Sequence, residues 1–288
     1  MQIVPFDKRD GFIWFNGKII PWQDATIHIL NHGLHYASSV FEGERAYNGK
    51  IFESTKHSQR LINSAQILDM DISYSAEELD LAKHKLLEAE KLKEAYVRPV
   101  IWRGSEVMTI SAKGSSINVA IACWQWPKIY GEKKKGIRVC ISDWIRPDAR
   151  CAPTAAKAGG LYMICTLSKH KAESRGYDDA LMLDYRGYIA EVTVANFFLV
   201  INGELHTPIA DCFLNGITRQ TVMELARKKG IKVIERYIKP EELANAQEAF
   251  ITGTAAELTP ITEIEDYKYG VGPITEMLME EYTRLVNS

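Results

Sequence analysis

The chain has 288 residues, 46% hydrophobic and 25% charged, with a net charge of −2 at pH 7, the balance of a globular protein with material for one large core or two modest ones. That charge excludes a basic field for nucleic acid, no apolar run is long enough to span a bilayer, and the start, MQIVPFDKRD, lacks the basic-then-apolar pattern of a secretory leader. The five cysteines form no CxxC pair and read as reduced, mostly structural thiols of a cytoplasmic protein.

Residues 12–21, FIWFNGKIIP, are two short apolar runs joined by Asn16-Gly17, a pair that tolerates the positive φ of a two-residue hairpin turn. The device recurs at Asn48-Gly49 and Asn202-Gly203, and Arg186-Gly187 predicts a fourth hairpin. Much of the chain is therefore expected to be antiparallel sheet. Helices are expected over 55–69, with Leu61, Ala65 and Leu68 on one face, and after the capping-box pattern of Ser75 and Glu78. Others are predicted over 161–175, ending at Gly176, over 218–229, from Thr218 as N-cap to Gly230, and after Pro273. β-Branched and aromatic runs mark strands at 97–102, 117–124, 137–142 and 247–252. The stretch 127–136, PKIYGEKKKG, combines proline, two glycines and a charge run. It reads as a linker between a smaller N-terminal α+β domain, 1–126, and a larger C-terminal one, 137–288, and binding sites often lie in the cleft between such domains.

Several stretches carry side chains suited to chemistry. In PTAAKAGGLY, Pro153 to Tyr162, Lys157 is the one charged residue between Arg150 and Lys169. Small apolar surroundings disfavour a charged amine, and a neutral amine attacks aldehydes and ketones; the plain alternative is a lysine in an Ala/Gly loop. LNGITR, 214–219, puts a glycine loop and the Thr218 hydroxyl at a predicted helix start, and TGTAA, 252–256, offers a second loop with Thr254. Both suit an anion, neither is a nucleotide motif, and each alone also reads as a turn with a cap. Glu191 ends a strand amid apolar residues, so it needs a cationic or hydrogen-bonding partner unless it lies on an exposed edge. In YVRP, Tyr96 and Arg98 share one face of a strand, which fits a carboxylate guest or a surface cross-strand pair. Arg60 reads as a solvated helix residue. His28, His32 and His35, spaced four and three, could suggest a metal, but Gly33 and the lack of a nearby carboxylate favour histidines hydrogen-bonded in a structural loop.

Taken in order, WFNGKIIPW, HGLHYASSVFEGERAY, HSQRL, YVRP, TAAKAGGLY, GYIAEVTVANFFLV, LNGITRQ and TGTAAELTP resemble the fold-type IV pyridoxal-phosphate enzymes, and within them the branched-chain amino acid aminotransferases. The resemblance runs nearly end to end. It implies an α+β fold of two domains, the larger built on a mixed β-barrel-like sheet, with pyridoxal 5'-phosphate in the interdomain cleft. It also implies a homodimer or an assembly of dimers in a cytoplasm, small-molecule amino acids and 2-oxo acids as partners, and no nucleic acid, membrane or metal.

By the same resemblance, Lys157 would hold the cofactor aldehyde as a Schiff base and shuttle the proton, and Tyr162 would hydrogen-bond the phenolic oxygen. Glu191 would face the pyridine nitrogen. Arg60, Ile217 through its N–H, Thr218 and Thr254 would hold the phosphate, with Leu214 and the Val194 region on the two ring faces. Tyr96, Arg98 and the N–H groups of Thr254 and Ala255 would receive substrate carboxylates, Arg98 taking the distal one of glutamate. Tyr36, Phe41 and Tyr130 would line an apolar side-chain pocket. The family often carries an EGxGEN-like run after the ring-nitrogen glutamate; here it is EVTVAN, and Val194 brings a branched side chain to that turn. A D-amino acid aminotransferase or an aminodeoxychorismate lyase of the same fold could share Lys157 and Glu191; Tyr96, Arg98 and TGTAAE favour the L-branched-chain reading.

Overall fold

The computed structural model describes residues 4–126 and 135–288, so Tyr130 and most of the expected linker lie outside the described residues. Met1–Pro127 with Ala156–Gly160 forms one compact unit, and Lys128–Ala155 with Leu161–Ser288 another. The segment that carries Lys157 thus clusters with the first unit although second-unit residues flank it in sequence.

In the first unit the strands are β1 (Phe12–Phe15), β2 (Lys18–Pro21), β3 (Ser39–Phe41), β4 (Glu44–Tyr47), β5 (Lys50–Ile51), β6 (Ala95–Arg103) and β7 (Ile117–Gln125). They form a sheet in the order β2-β1-β7-β6-β4-β5, with β3 also on β6. The predicted turns close two of its hairpins: Phe15 pairs with Lys18 and Tyr47 with Lys50. Asn16 and Gly17 take φ of 45° and 91°, Asn48 and Gly49 51° and 83°, the left-handed values such turns require. After the short α1 (His32–Tyr36) come α2 (Ser54–Ile67) and α3 (Ala76–Ala89). The capping box is made: Ser75 Oγ accepts from Glu78 N, and Glu78 Oε2 accepts from Ser75 N. Leu61 and Ala65 of α2 and Leu79 and Leu86 of α3 are buried, α2 packs on α3, and α3 lies on β1 and β7. Each such leucine contributes about 1.5–3 kcal/mol by leaving water.

The second unit contains β8 (Ile137–Ile141), β9 (Asp179–Leu183), β10 (Ile189–Val192), β11 (Asn196–Ile201), β12 (Glu204–Pro208), β13 (Val233–Arg236), β14 (Glu248–Gly253), β15 (Glu257–Ile264) and β16 (Tyr267–Lys268). The path β10-β9-β8-β15-β14-β11 returns to its start because β10 also pairs with β11, and β12 and β13 extend it. Six strands therefore close into a barrel, mixed because β8 runs parallel to both β9 and β15. Leu181, Val192, Phe197, Leu199, Ile251 and Ile261 belong to one buried cluster. On the alternate strand positions Phe198 and Phe250 stack with centroids 5.0 Å apart. The helices are α4 (Tyr162–Ser174), α5 (Ile217–Lys228) and α6 (Pro273–Val286); α4 lies on β9, and α5 and α6 on β14. One expected boundary moves. The N-cap of α5 is Gly216, and Thr218 lies inside the first turn with its side chain buried. Gly216 N donates to Asn196 Oδ1 at 3.1 Å, a contact from twenty residues away that sets where the helix begins.

Candidate active site

In the first unit, Phe41 is the common neighbour. Lys157 Nζ lies 5.0 Å from its ring centroid and the Arg98 guanidinium 4.7 Å. Arg98 Nη2 in turn donates to the Tyr96 hydroxyl at 3.1 Å. The lysine backbone is fixed from both sides: Lys157 N donates to Ser64 Oγ at 3.0 Å, and Lys157 O accepts from Phe41 N at 3.1 Å. Ala156 and Ala158 beside it are buried, so the small residues around the lysine are what let this segment lie against β3, with Val40 paired to Ala158. Expected separately, Phe41, Tyr96, Arg98 and Lys157 are thus brought together.

Arg60 is not merely solvated. Its Nε and Nη2 donate to Glu42 Oε1 and Oε2 at 2.6 and 2.8 Å, and His57 Nδ1 meets Glu42 Oε2 at 2.7 Å. Glu42 is fully buried. Burial alone would raise its pKa, but Arg60 and then His57 outweigh it and hold the carboxyl well below the usual range. The next residue must be glycine: a Cβ on Gly43 would sit 2.0 Å from the Tyr96 hydroxyl. Tyr36 stands on α1, its hydroxyl donating to Met108 O at 3.2 Å and its ring against His32. The histidines have structural partners: His32 meets Ser38 Oγ and Thr109 O, His35 meets Ile29 O, and His28 Nδ1 accepts from Leu30 N.

In the second unit, Glu191 is buried, not on an exposed edge. Its Oε1 lies 3.4 Å from Arg146 Nε, and its Oε2 accepts from Asn196 Nδ2 at 3.0 Å. Burial is the largest influence on Arg146 and opposes its charge, but Glu191 together with Cys165, Tyr162 and Cys212 outweighs it, and the guanidinium pKa is raised. Arg146 Nη1 also reaches Cys165 Sγ at 3.3 Å, whose thiol burial pushes up to about 11. Asn196 Nδ2 makes a second bond, to Leu214 O at 3.0 Å, which ties Glu191 to the loop ahead of Ile217 and Thr218. No side chain caps α5, so the N–H groups of its first turn and the helix dipole favour an anion. Arg219, fully buried, pins that turn through Asn215 Oδ1, Pro208 O, Thr207 Oγ1 and Glu235 Oε2. Tyr162, Thr193 and Val194 line a cavity of about 210 Å³. The turn bearing Thr254 and Ala255 follows Gly253, where an added Cβ would lie 3.4 Å from Ala195 Cβ and 3.5 Å from Val194 O. Glu191, Leu214, Ile217 and Thr218 are therefore gathered through Asn196, and Tyr162 and Val194 through the cavity.

Sequence reasoning misses Glu42, Arg146 and Asn196. A carboxylate followed by glycine in FEGER, and an asparagine opening a strand of apolar residues in NFFLV, were the available signals; Arg146 carried none.

The model of the Amino-transferase class IV family matches residues 39–264. This chain belongs to that family. It is 42% identical over 288 residues to the branched-chain-amino-acid aminotransferase of Pseudomonas aeruginosa, covering 97% of this chain and 94% of that one. Among solved structures, the branched-chain aminotransferase of Thermoproteus uzoniensis with norvaline superposes with a TM-score of 0.92 at 36% identity, over 97% of this chain and 95% of that one. The branched-chain amino acid aminotransferase of Thermobaculum terrenum in its PLP-form gives 0.89 at 31% identity, over 96% and 94%. The family's fold is the one described above: an α+β chain with a closed barrel of mixed strands.

Proposed function

We infer that this chain is a pyridoxal-phosphate-dependent branched-chain amino acid aminotransferase. It exchanges the amino group between L-leucine, L-isoleucine or L-valine and 2-oxoglutarate, giving the branched 2-oxo acid and L-glutamate. The observation that carries this reading is the near-full-length likeness to relatives named for that activity. The D-amino acid aminotransferase and lyase alternatives gain no support from those names.

The residues present fit the cofactor. The uncapped start of α5 suits a phosphate, and a buried carboxylate backed by a guanidinium suits a protonated ring nitrogen. Lys157 would hold the cofactor aldehyde, Tyr162 its phenolic oxygen, and Glu191 the proton on its ring nitrogen. Arg60, Ile217, Thr218 and Thr254 would take the phosphate, with Leu214 and Val194 against the ring. When bound, the cofactor supplies an electron sink for negative charge at the substrate α-carbon. Lys157 Nζ, freed when the substrate amine takes its place, would take the α-proton and return a proton as general acid. Phe41 presents an apolar wall to an aliphatic side chain; Arg98, held by Tyr96, together with the N–H groups of Thr254 and Ala255, takes carboxylates. A homodimer and a cytoplasmic location complete the proposal. The first is supported by the exposed apolar run Ile27, Ile29, Leu30, Leu34 and Tyr36, beside a cavity of about 400 Å³ in the first unit. The second is supported by five free cysteines. Among the described residues no helix is long and apolar enough to cross a membrane.

The test is a pair of half-reactions. L-Leucine should bleach the visible band of the yellow holoenzyme, 2-oxoglutarate should restore it, and D-leucine should leave it unchanged. A response to D-leucine alone would overturn the assignment.

A further inference from the structure

Asn196 does two things at once. Its backbone pairs with Glu191 on one side and with Thr252 on the other, so it stands where the barrel closes. Its side chain, 4% exposed, bonds three ways: Nδ2 donates to Glu191 Oε2 and to Leu214 O, each at 3.0 Å, and Oδ1 accepts from Gly216 N at 3.1 Å. An amide carries two N–H donors and one carbonyl oxygen, and here each is engaged.

The loop side of this contact is equally constrained. A Cβ on Gly216 would fall 2.2 Å from Asn196 Oδ1, although the φ of Gly216, −62°, is one any residue adopts. Glycine is required there by the approach of the amide, not by backbone conformation. With Arg146 on Oε1 and Asn196 on Oε2, the carboxylate of Glu191 is held in one orientation. The same amide fixes the loop that leads into the first N–H groups of α5.

We propose that Asn196 is a positioning residue that sets the spacing between the Glu191 carboxylate and the anion-holding start of α5, so that one rigid cofactor meets both ends together. This rests on the cofactor reading above. A cofactor that spans two preset points gains from both; if either point drifts, engaging one end no longer places the other.

The test compares binding of pyridoxal 5'-phosphate and of pyridoxal, which lacks the phosphate, to the apoprotein by fluorescence titration. In the unaltered chain the phosphate ester should bind far more tightly. In Asn196→Ser that advantage should shrink about tenfold, the scale of one lost hydrogen bond to a charged group. Gly216→Ala, which leaves the amide in place and displaces the loop, should shrink it as well and serves if Asn196→Ser does not fold. A merely structural asparagine would lower the melting temperature and leave the ratio of the two affinities unchanged, and that result in a folded variant overturns the proposal. Failure of the unaltered chain to bind pyridoxal 5'-phosphate would instead overturn the functional assignment.

Discussion

Glu42 and Glu191 are both buried carboxylates, and each meets an arginine that no local pattern announces. The pairing of Glu42 with Arg60 and His57 has a consequence in acid. Its folded pKa is depressed, so the stability it contributes is present above the ordinary glutamate value, about 4.3, and is lost as the pH falls toward the folded value. Glu42→Gln should cost about 3 kcal/mol at pH 7, because a guanidinium only 17% exposed loses its counter-charge, and should flatten the loss of stability below pH 5. Urea melts at pH 7 and pH 4 check both; an unchanged acid slope would mean the carboxylate does not govern it. At this scale the sequence was legible where a charged residue stands out against small or apolar neighbours, as Lys157 and Glu191 do. It was opaque where the partner comes from far along the chain: Glu42 is 18 residues from Arg60 and Arg146 is 45 from Glu191.

Among the elements, turn and cap chemistry could be read directly, because it is local. Asn16-Gly17, Asn48-Gly49 and Asn202-Gly203 all occupy the left-handed conformations their residue types predict, and Ser75 caps α3 by the expected box. Ser75→Ala should therefore lower stability by about 1 kcal/mol, with Ser75→Gly costing less; denaturant midpoints at a constant slope would verify the order. The start of α5 was misread because Thr218 satisfies a local rule that the distant Asn196 overrides. Strand β15 was not anticipated either: Glu257 and Pro260 argue against a strand in isolation. The strand forms because β14 and the parallel β8 pair with it from both sides.

For the molecule as a whole, the fold class follows from hairpin punctuation and the resemblance, but the closing pair of the barrel does not, since register between distant strands leaves no mark in composition. Association belongs to this scale. If the apolar run from Ile27 to Tyr36 is where two copies meet, Leu34→Asp should halve the particle mass measured by light scattering. Leu34 is exposed in the single chain, so the substitution should leave its folding nearly unaffected. An unchanged mass would move the interface elsewhere.

The five residues Ala156–Gly160 complete the first unit from a distant point in the chain. A ribosome that has released residue 127 has not yet delivered the strand partner of Val40 or the acceptor for the Phe41 amide. The first unit cannot make these two contacts until Lys157 and Ala158 emerge, so installing the amine and completing that edge of β3 become a single event in synthesis.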